Sequence, residues 1–180
     1  IIPINSHNLS FLKNCIAVTA IGMTLGLSEF ELKSKLQSFK TPKGRCSIKR
    51  FNRVTVIDDS YNANLSSSLA ALDYLSAFMS KGKKVFVFGD MFELGHKSIE
   101  QHRLIGQKCV DLKIDVVLTI GIHSEHTHLA LNKGIKNKHY HSADKLINYL
   151  KKSIKQDDIL LFKGSRGMKM ENIINRIFNF

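Results

Sequence analysis

The apolar positions along this chain change their spacing near residue 40. Before that point Leu12, Ile16, Thr19, Ala20, Met23 and Leu27 recur at the three-and-four spacing of a helix face. Ala17 and Gly22 are small enough for close packing, and Gly26 reads as the stop signal. Ser28 then starts a short second helix, with Glu31 three residues on completing a capping box ahead of Leu32 and Leu36. The run Phe39-Lys40-Thr41-Pro42-Lys43-Gly44 keeps no period and is punctuated by Pro and Gly, which predicts a linker. Two helices cannot enclose a core by themselves, so residues 1–40 and 41–180 are expected to belong to different domains.

From Arg45 onward continuous apolar runs alternate with helical periods. Cys46–Phe51 and Arg53–Ile57 are expected to pair as a hairpin across Asn52. Val85–Phe88, Val116–Ile120 and Ile159–Phe162 read as buried strands, and Lys138–His141 as a weak one. Between them Leu65–Met79, Ser98–Leu112, Ser124–Asn132, Asp144–Ile154 and Met168–Phe178 read as helices. Apolar strands separated by helices of about 10–15 residues predict an α/β chain with a doubly wound, parallel sheet. Neither an internal repeat nor a low-complexity tract is present.

Three predicted strands end in polar loops: Asp58–Asn64, Gly89–Gly95 and Lys163–Met168. Adjacent strand ends in such a sheet lie along one edge, so these loops are expected to form one cleft. Asp58 and Asp59 offer acceptors for hydroxyls, Tyr61 an aromatic face, and Asn62 and Asn64 amides, a set that suits a nucleoside better than a metal. The same residues also suit a plain helix start, since Asp and Asn are favoured caps. In Gly89–Gly95, Asp90 and Glu93 are placed to hold an ammonium group, or else the loop is an ordinary turn. Lys163-Gly164-Ser165-Arg166-Gly167 follows a strand and opens a helix, which suits a carboxylate or phosphate. It is not a G-x-x-x-x-G-K-[ST] loop, and neither G-x-G-x-x-G nor G-x-S-x-G occurs. His123, His126 and His128, with His139 and His141 later, raise a metal reading. No cysteine or acidic residue except Glu125 completes a tetrahedral set, so a solvated helix end is the expectation, with no metal.

Composition narrows the classes. At 180 residues, 43% hydrophobic and 23% charged, the chain has room for one good core. No apolar run approaches the roughly 18 residues that span a bilayer. The first residue is Ile, which reads as a piece of a longer protein that keeps its natural C-terminus. Cys15, Cys46 and Cys109 are odd in number and widely spaced, which points to reduced thiols in a cytosol. The net charge of +12 favours anionic partners, but the lysines are scattered and form no basic-and-aromatic stripe.

Taken in order and spacing, Pro42-Lys43-Gly44-Arg45, Ile57-Asp58-Asp59-Ser60-Tyr61-Asn62-Ala63-Asn64, Gly89-Asp90-Met91 with Glu93-Leu94-Gly95, His102, and Lys163-Gly164-Ser165-Arg166-Gly167-Met168 resemble the C-terminal part of the Mur ligase family. The resemblance runs from about Asn14 to the end of the chain. It implies a Rossmann-like, mostly parallel sheet with helices on both faces, preceded by a small helical tail of a central ATPase domain. It also implies ATP-dependent amide-bond synthesis for peptidoglycan, in which a carboxylate is activated as an acyl phosphate and an amine displaces the phosphate. The implied partners are UDP-N-acetylmuramoyl-tripeptide and D-alanyl-D-alanine, with no nucleic acid and no membrane, in a monomeric cytoplasmic enzyme. ATP and Mg2+ are implied, the magnesium ligands and phosphate loop lying upstream of Ile1, so that this fragment alone is inactive.

Carried over by that resemblance, Arg45 is the catalytic residue and reaches the ATP phosphates. Asp59 accepts from the ribose, and Tyr61, Asn62 and Asn64 shape the nucleoside side. Asn14 is the adenine contact in the register that preserves the spacing to Leu25-Gly26, with His7-Asn8 as the alternative. Asp90, Met91, Glu93, Lys163, Ser165 and Arg166 line the dipeptide side, where Lys163 or Arg166 meets the carboxylate. Leu65 stands where the family usually has Pro. Two rivals remain: a related folate- or cyanophycin-type ligase, and a non-catalytic basic module that binds anions or nucleic acid.

Overall fold

The computed structural model describes residues 9–39, 42–131 and 134–179. The chain divides into two compact units, Ile1–Pro42 and Lys43–Phe180. In the first, α1 (Leu9–Thr24) and α2 (Glu29–Ser38) are joined through Gly26, whose φ of 83° suits a residue without Cβ. The expected capping box is present: Glu31 N–H donates to Ser28 Oγ, and Ser28 N–H donates back to Glu31 Oε2 at 2.9 Å. Cys15 and Leu32 are buried, but Ile16 and Met23, expected on the covered face, are 70% and 66% exposed. Two helices bury only the seam between them, so the rest of the apolar surface stays open.

The second unit is a six-stranded sheet in the order β1-β2-β6-β3-β4-β5. Its strands are β1 (Ser47–Phe51), β2 (Val54–Asp59), β3 (Lys84–Gly89), β4 (Val116–Ile120), β5 (Lys136–Tyr140) and β6 (Ile159–Lys163). Only β1 is antiparallel, pairing with β2 across a turn in which Asn52 takes a left-handed φ of 53°. The helices are α3 (Leu65–Ala77), α4 (Ser98–Asp111), α5 (Glu125–Leu129), α6 (Ala143–Ser153) and α7 (Met170–Phe178). The chain steps outward from β2 to β5, then returns to insert β6 between β2 and β3. Right-handed crossovers put the outward-step helices on one face and the return helix on the other.

The core follows that division. Leu72, Leu75 and Ile105 from α3 and α4 pack with Phe86, Phe88 and Leu161 on one face. Leu146, Leu150 and Ile174 from α6 and α7 pack with Val87, Leu160 and Phe162 on the other. Residues of both faces come from the same central strands, which explains why those strands read as unbroken apolar runs. β5 was legible only weakly because it is an edge: Lys136 and Lys138 are exposed along it and discourage further pairing.

Short α5 seats tightly on α4. Thr127 Oγ1 donates to His102 O at 2.8 Å, and a Cβ at Gly106 would meet Thr127 O at 2.5 Å and Ala130 Cβ at 2.8 Å. Gly106→Ala gains about 1 kcal/mol of helix propensity but forces a backbone carbonyl aside, at about 1–3 kcal/mol. A net destabilisation of about 1–2 kcal/mol is expected in urea unfolding; a stabilised variant would mean that α5 moves freely away.

Candidate functional site

The register of the sheet brings three strand ends into one row. Asp59 at the end of β2 pairs with Lys163 at the end of β6, which in turn lies beside Phe88-Gly89 of β3. Lys163 is 1% exposed, and its ammonium donates to Asp59 Oδ2 at 2.5 Å and to Asn62 O at 3.0 Å. The other carboxylate oxygen of Asp59 accepts from Cys46 N–H at 3.0 Å. One buried ion pair therefore ties β6, the loop after β2 and the segment entering β1.

Two residues further on, Ser165 joins the loops themselves. Its N–H donates to Asp90 O at 2.8 Å, and its hydroxyl donates to Ala63 O at 3.2 Å and accepts from Phe92 N–H at 2.8 Å. Arg166 N–H donates to Asn62 Oδ1 at 3.3 Å. The glycines here make close approach possible, since a Cβ on Gly164 would meet Met170 and one on Gly167 would meet the Phe92 ring at 2.7 Å. All three polar loops thus share one rim at the carboxyl edge of the sheet.

Several residues expected to face ligand instead hold this rim together. Asp90 is 4% exposed, and its carboxylate accepts from Ile122 N–H at 2.9 Å and Ser124 N–H at 2.7 Å, fastening the loop between β4 and α5. Both of its oxygens are therefore engaged by backbone amides within the chain. Met91 is buried in the core at 1% exposure, with Ser68 Oγ 3.7 Å from its sulfur. Asn64 is the cap of α3: its Oδ1 accepts from Ser67 N–H at 2.8 Å. Ser165 is buried and has its hydroxyl spent on the loops. Lys163 presents no free cation, since Asp59 neutralises it. Asp59 keeps spare lone pairs for one more donor, a carboxylate having about four acceptor positions, but only 13% of its side chain is exposed.

What the rim shows to solvent is a different set. Arg45, Tyr61, Asn62, Phe92, Glu93 and Arg166 are exposed. The Arg45 guanidinium lies 4.2 Å from the centre of the Tyr61 ring, and Gly44 O accepts from Tyr61 N–H at 2.9 Å. Glu93 projects from a left-handed turn with φ of 63°. Arg166 reaches Glu171 Oε1 at 3.1 Å. Phe92 was not picked out in the sequence, although a lone aromatic inside a polar loop is the signal that marks it. Asn14 is exposed on α1, in the other unit; His7 and Asn8 lie outside the described residues.

His102 supports the loop after β3. It is fully buried, its Nε2 accepting from Met91 N–H at 3.0 Å and its Nδ1 2.7 Å from Ser98 O. Accepting at Nε2 requires the proton on Nδ1 and a neutral ring. Burial pushes this imidazole below its ordinary range, with the Ser98 carbonyl pulling the other way.

A family profile described as "Mur ligase, glutamate ligase domain" matches residues 44–166. The chain belongs to the Mur ligase family. Among its relatives, the UDP-N-acetylmuramoyl-tripeptide–D-alanyl-D-alanine ligase of Buchnera aphidicola subsp. Baizongia pistaciae is 33% identical over 174 residues, which are 95% of this chain and 36% of that protein. The corresponding ligase of Acinetobacter baumannii superposes with a TM-score of 0.84 at 28% identity, covering 96% of this chain and 37% of that one. A MurF ligase from Thermotoga maritima in complex with ADP gives 0.74 at 28% identity, over 89% of this chain and 36% of that one. This Mur ligase chain therefore spans little more than a third of each of these three relatives.

Ser165→Ala would leave the Phe92 amide and the Ala63 carbonyl without a partner, at about 1–3 kcal/mol, and Lys163→Met would strand the Asp59 carboxylate, at about 3–5 kcal/mol. Chemical denaturation should rank the two variants in that order. His102 sets a pH dependence: its folded value is depressed, so the folded chain binds fewer protons than the unfolded one below about pH 6.5. Its contribution is complete above that pH and is lost as the pH falls through the depressed folded value. Thermal midpoints measured between pH 8 and pH 5 should therefore fall more steeply for the parent than for His102→Gln.

Proposed function

We propose that this chain is the amine-delivering C-terminal part of an ATP-dependent ligase that joins D-alanyl-D-alanine to UDP-N-acetylmuramoyl-tripeptide in the bacterial cytoplasm, with residues 1–40 as the tail of a central ATP-binding domain. The observation that carries the reading is the single rim, where a cation stacked on an aromatic ring borders one loop and a second cation and a carboxylate border the others. That layout suits a nucleotide on the Arg45–Tyr61 side and a zwitterionic dipeptide on the Glu93–Arg166 side. No helix among the described residues is long and apolar enough to cross a membrane.

The reaction asks for three things that side chains of this type supply. ATP converts the tripeptide carboxylate to an acyl phosphate, and the dipeptide amine then attacks the acyl carbon, forming the amide and expelling phosphate. Arg45 provides a fixed cation for the phosphate oxygens. Tyr61 holds the guanidinium in place beforehand, which lowers the cost of ordering it. Arg166 has the fork geometry to meet the dipeptide carboxylate, a role that passes to it because its side chain is exposed even while it reaches Glu171, whereas Lys163 is buried against Asp59. Glu93 is the rim carboxylate left to meet the ammonium end, since Asp90 is committed to amides. Asn62 shapes the nucleoside side, and Asp59 contributes through its remaining lone pairs.

Magnesium does not fit this rim. Asp58 accepts from the Ser60 hydroxyl at 2.6 Å, and Asp59 and Asp90 are bonded to Lys163 and to backbone amides. A hard cation asks for several converging oxygens, and these are already engaged within the chain.

In the intact ligase, phosphate release should require tripeptide substrate, ATP and D-alanyl-D-alanine together. Equal turnover with free D-glutamate or a diamino acid would move the chain to a sister activity. Arg45→Ala should lower kcat about 100-fold with little change in KM for the dipeptide, because the acyl phosphate is met only late. An unchanged kcat would remove Arg45 from the chemistry.

A further inference from the structure

We propose that the corner where β5 meets α5 binds a borderline divalent transition metal ion of the zinc class through His139, His141 and Glu125. His139 lies on β5 and His141 just past its end, two residues apart and so on one face of the chain. Their rings stand edge-on with centres 4.7 Å apart. Glu125 opens α5, and one ligand atom from each of the three residues lies within 4.8 Å of the others. Two imidazoles and one carboxylate are a donor set that zinc accepts with water in the remaining position.

A second observation points the same way. His139 Nδ1 is 2.8 Å from Thr119 Oγ1 on the neighbouring strand. Its Nε2 is shielded from solvent and has no hydrogen-bond partner among the described residues. Hydrogen bonding at one ring nitrogen while the other stays open is the arrangement of a metal-ligating histidine with its orienting partner. Thr119 is fully buried, so it holds the ring from a fixed position. His128 Nδ1 is likewise shielded without a partner, and its ring centre lies 6.0 Å from that of His139, close enough to stand as a reserve ligand.

The remaining adjustment is small. Ligand atoms around tetrahedral zinc stand about 3.4 Å apart, from bonds of about 2.0–2.1 Å. Glu125 and His141 are exposed and free to close that gap on to the held His139. The ion would pin the edge strand β5 to the start of α5, the same helix start whose Ser124 amide Asp90 already fastens. None of these ligands belongs to the rim, so the metal site stands or falls independently of the proposed ligase reaction.

The test is zinc titration by calorimetry on the tag-free chain, with cobalt as a spectroscopic substitute. Expected are one equivalent of zinc bound, an intense tetrahedral cobalt band, and a thermal midpoint raised by zinc and restored by chelator. His139→Ala and His141→Ala should each weaken binding at least about tenfold, and Thr119→Val about tenfold with all ligands retained. His96→Ala, on the loop after β3, should bind as the parent does. His141 is exposed, so its variant carries the test if His139→Ala does not fold. Absence of stoichiometric uptake, or parent-like binding by His141→Ala, would overturn the proposal.

Discussion

The buried junction of Lys163, Asp59 and Ser165 is the constraint on which the rest of this structure depends. Lys163 ends the strand that the chain lays down last, yet that strand sits between β2 and β3, the second and third laid down. Its ammonium, 1% exposed, is tolerable there only because Asp59 and the Asn62 carbonyl meet it. Ser165 then reaches the carbonyl and amide groups of the other two loops. Inserting β6 is thus the step that converts three separate turns into one rim. A sheet with the same strands in sequential order would leave those loops apart.

From this follows a separation of duties among polar residues. The buried ones, Asp59, Asp90, His102, Lys163 and Ser165, satisfy one another and the backbone. The exposed ones, Arg45, Tyr61, Glu93 and Arg166, are held out toward solvent by that framework. Asp90 illustrates the physical logic. Its carboxylate is buried and accepts from two backbone amides of the β4–α5 loop, and giving up the buried Ser124 amide would leave that donor unpaired. Its value to the site is indirect, through the position of the β4–α5 loop.

The opposite edge of the sheet is fastened by a parallel device. Asp158, 4% exposed, accepts from Lys83 N–H at 2.8 Å and Lys155 N–H at 2.9 Å, while Arg53 makes paired contacts with Asp157. These contacts hold the amino ends of β2, β3 and β6 together. With both ends anchored, the central strands carry a core on each face and the carboxyl edge is left as a rigid platform. The Gly82 backbone packs so closely on Asp157 that a side chain has no room there.

Much of the fold was legible in the order of the residues. Helical spacing, the Ser28–Glu31 box, the Asn52 turn and the unbroken apolar strands are local signals, set by a few neighbouring side chains, and each element formed within a few residues of its expected place. The three strand-end loops were also legible as polar runs between a strand and a helix. What the letters alone left open was which members of those loops face inward. Asp, Asn, Ser and Lys have the chemistry both to bind a ligand and to satisfy a buried amide or charge. The choice is made by distance to partners as much as 104 residues away, as for Lys163 and Asp59. Sequence determined that a polar edge would exist; the return of β6 into the middle of the sheet decided which side chains it would bury and which it would offer.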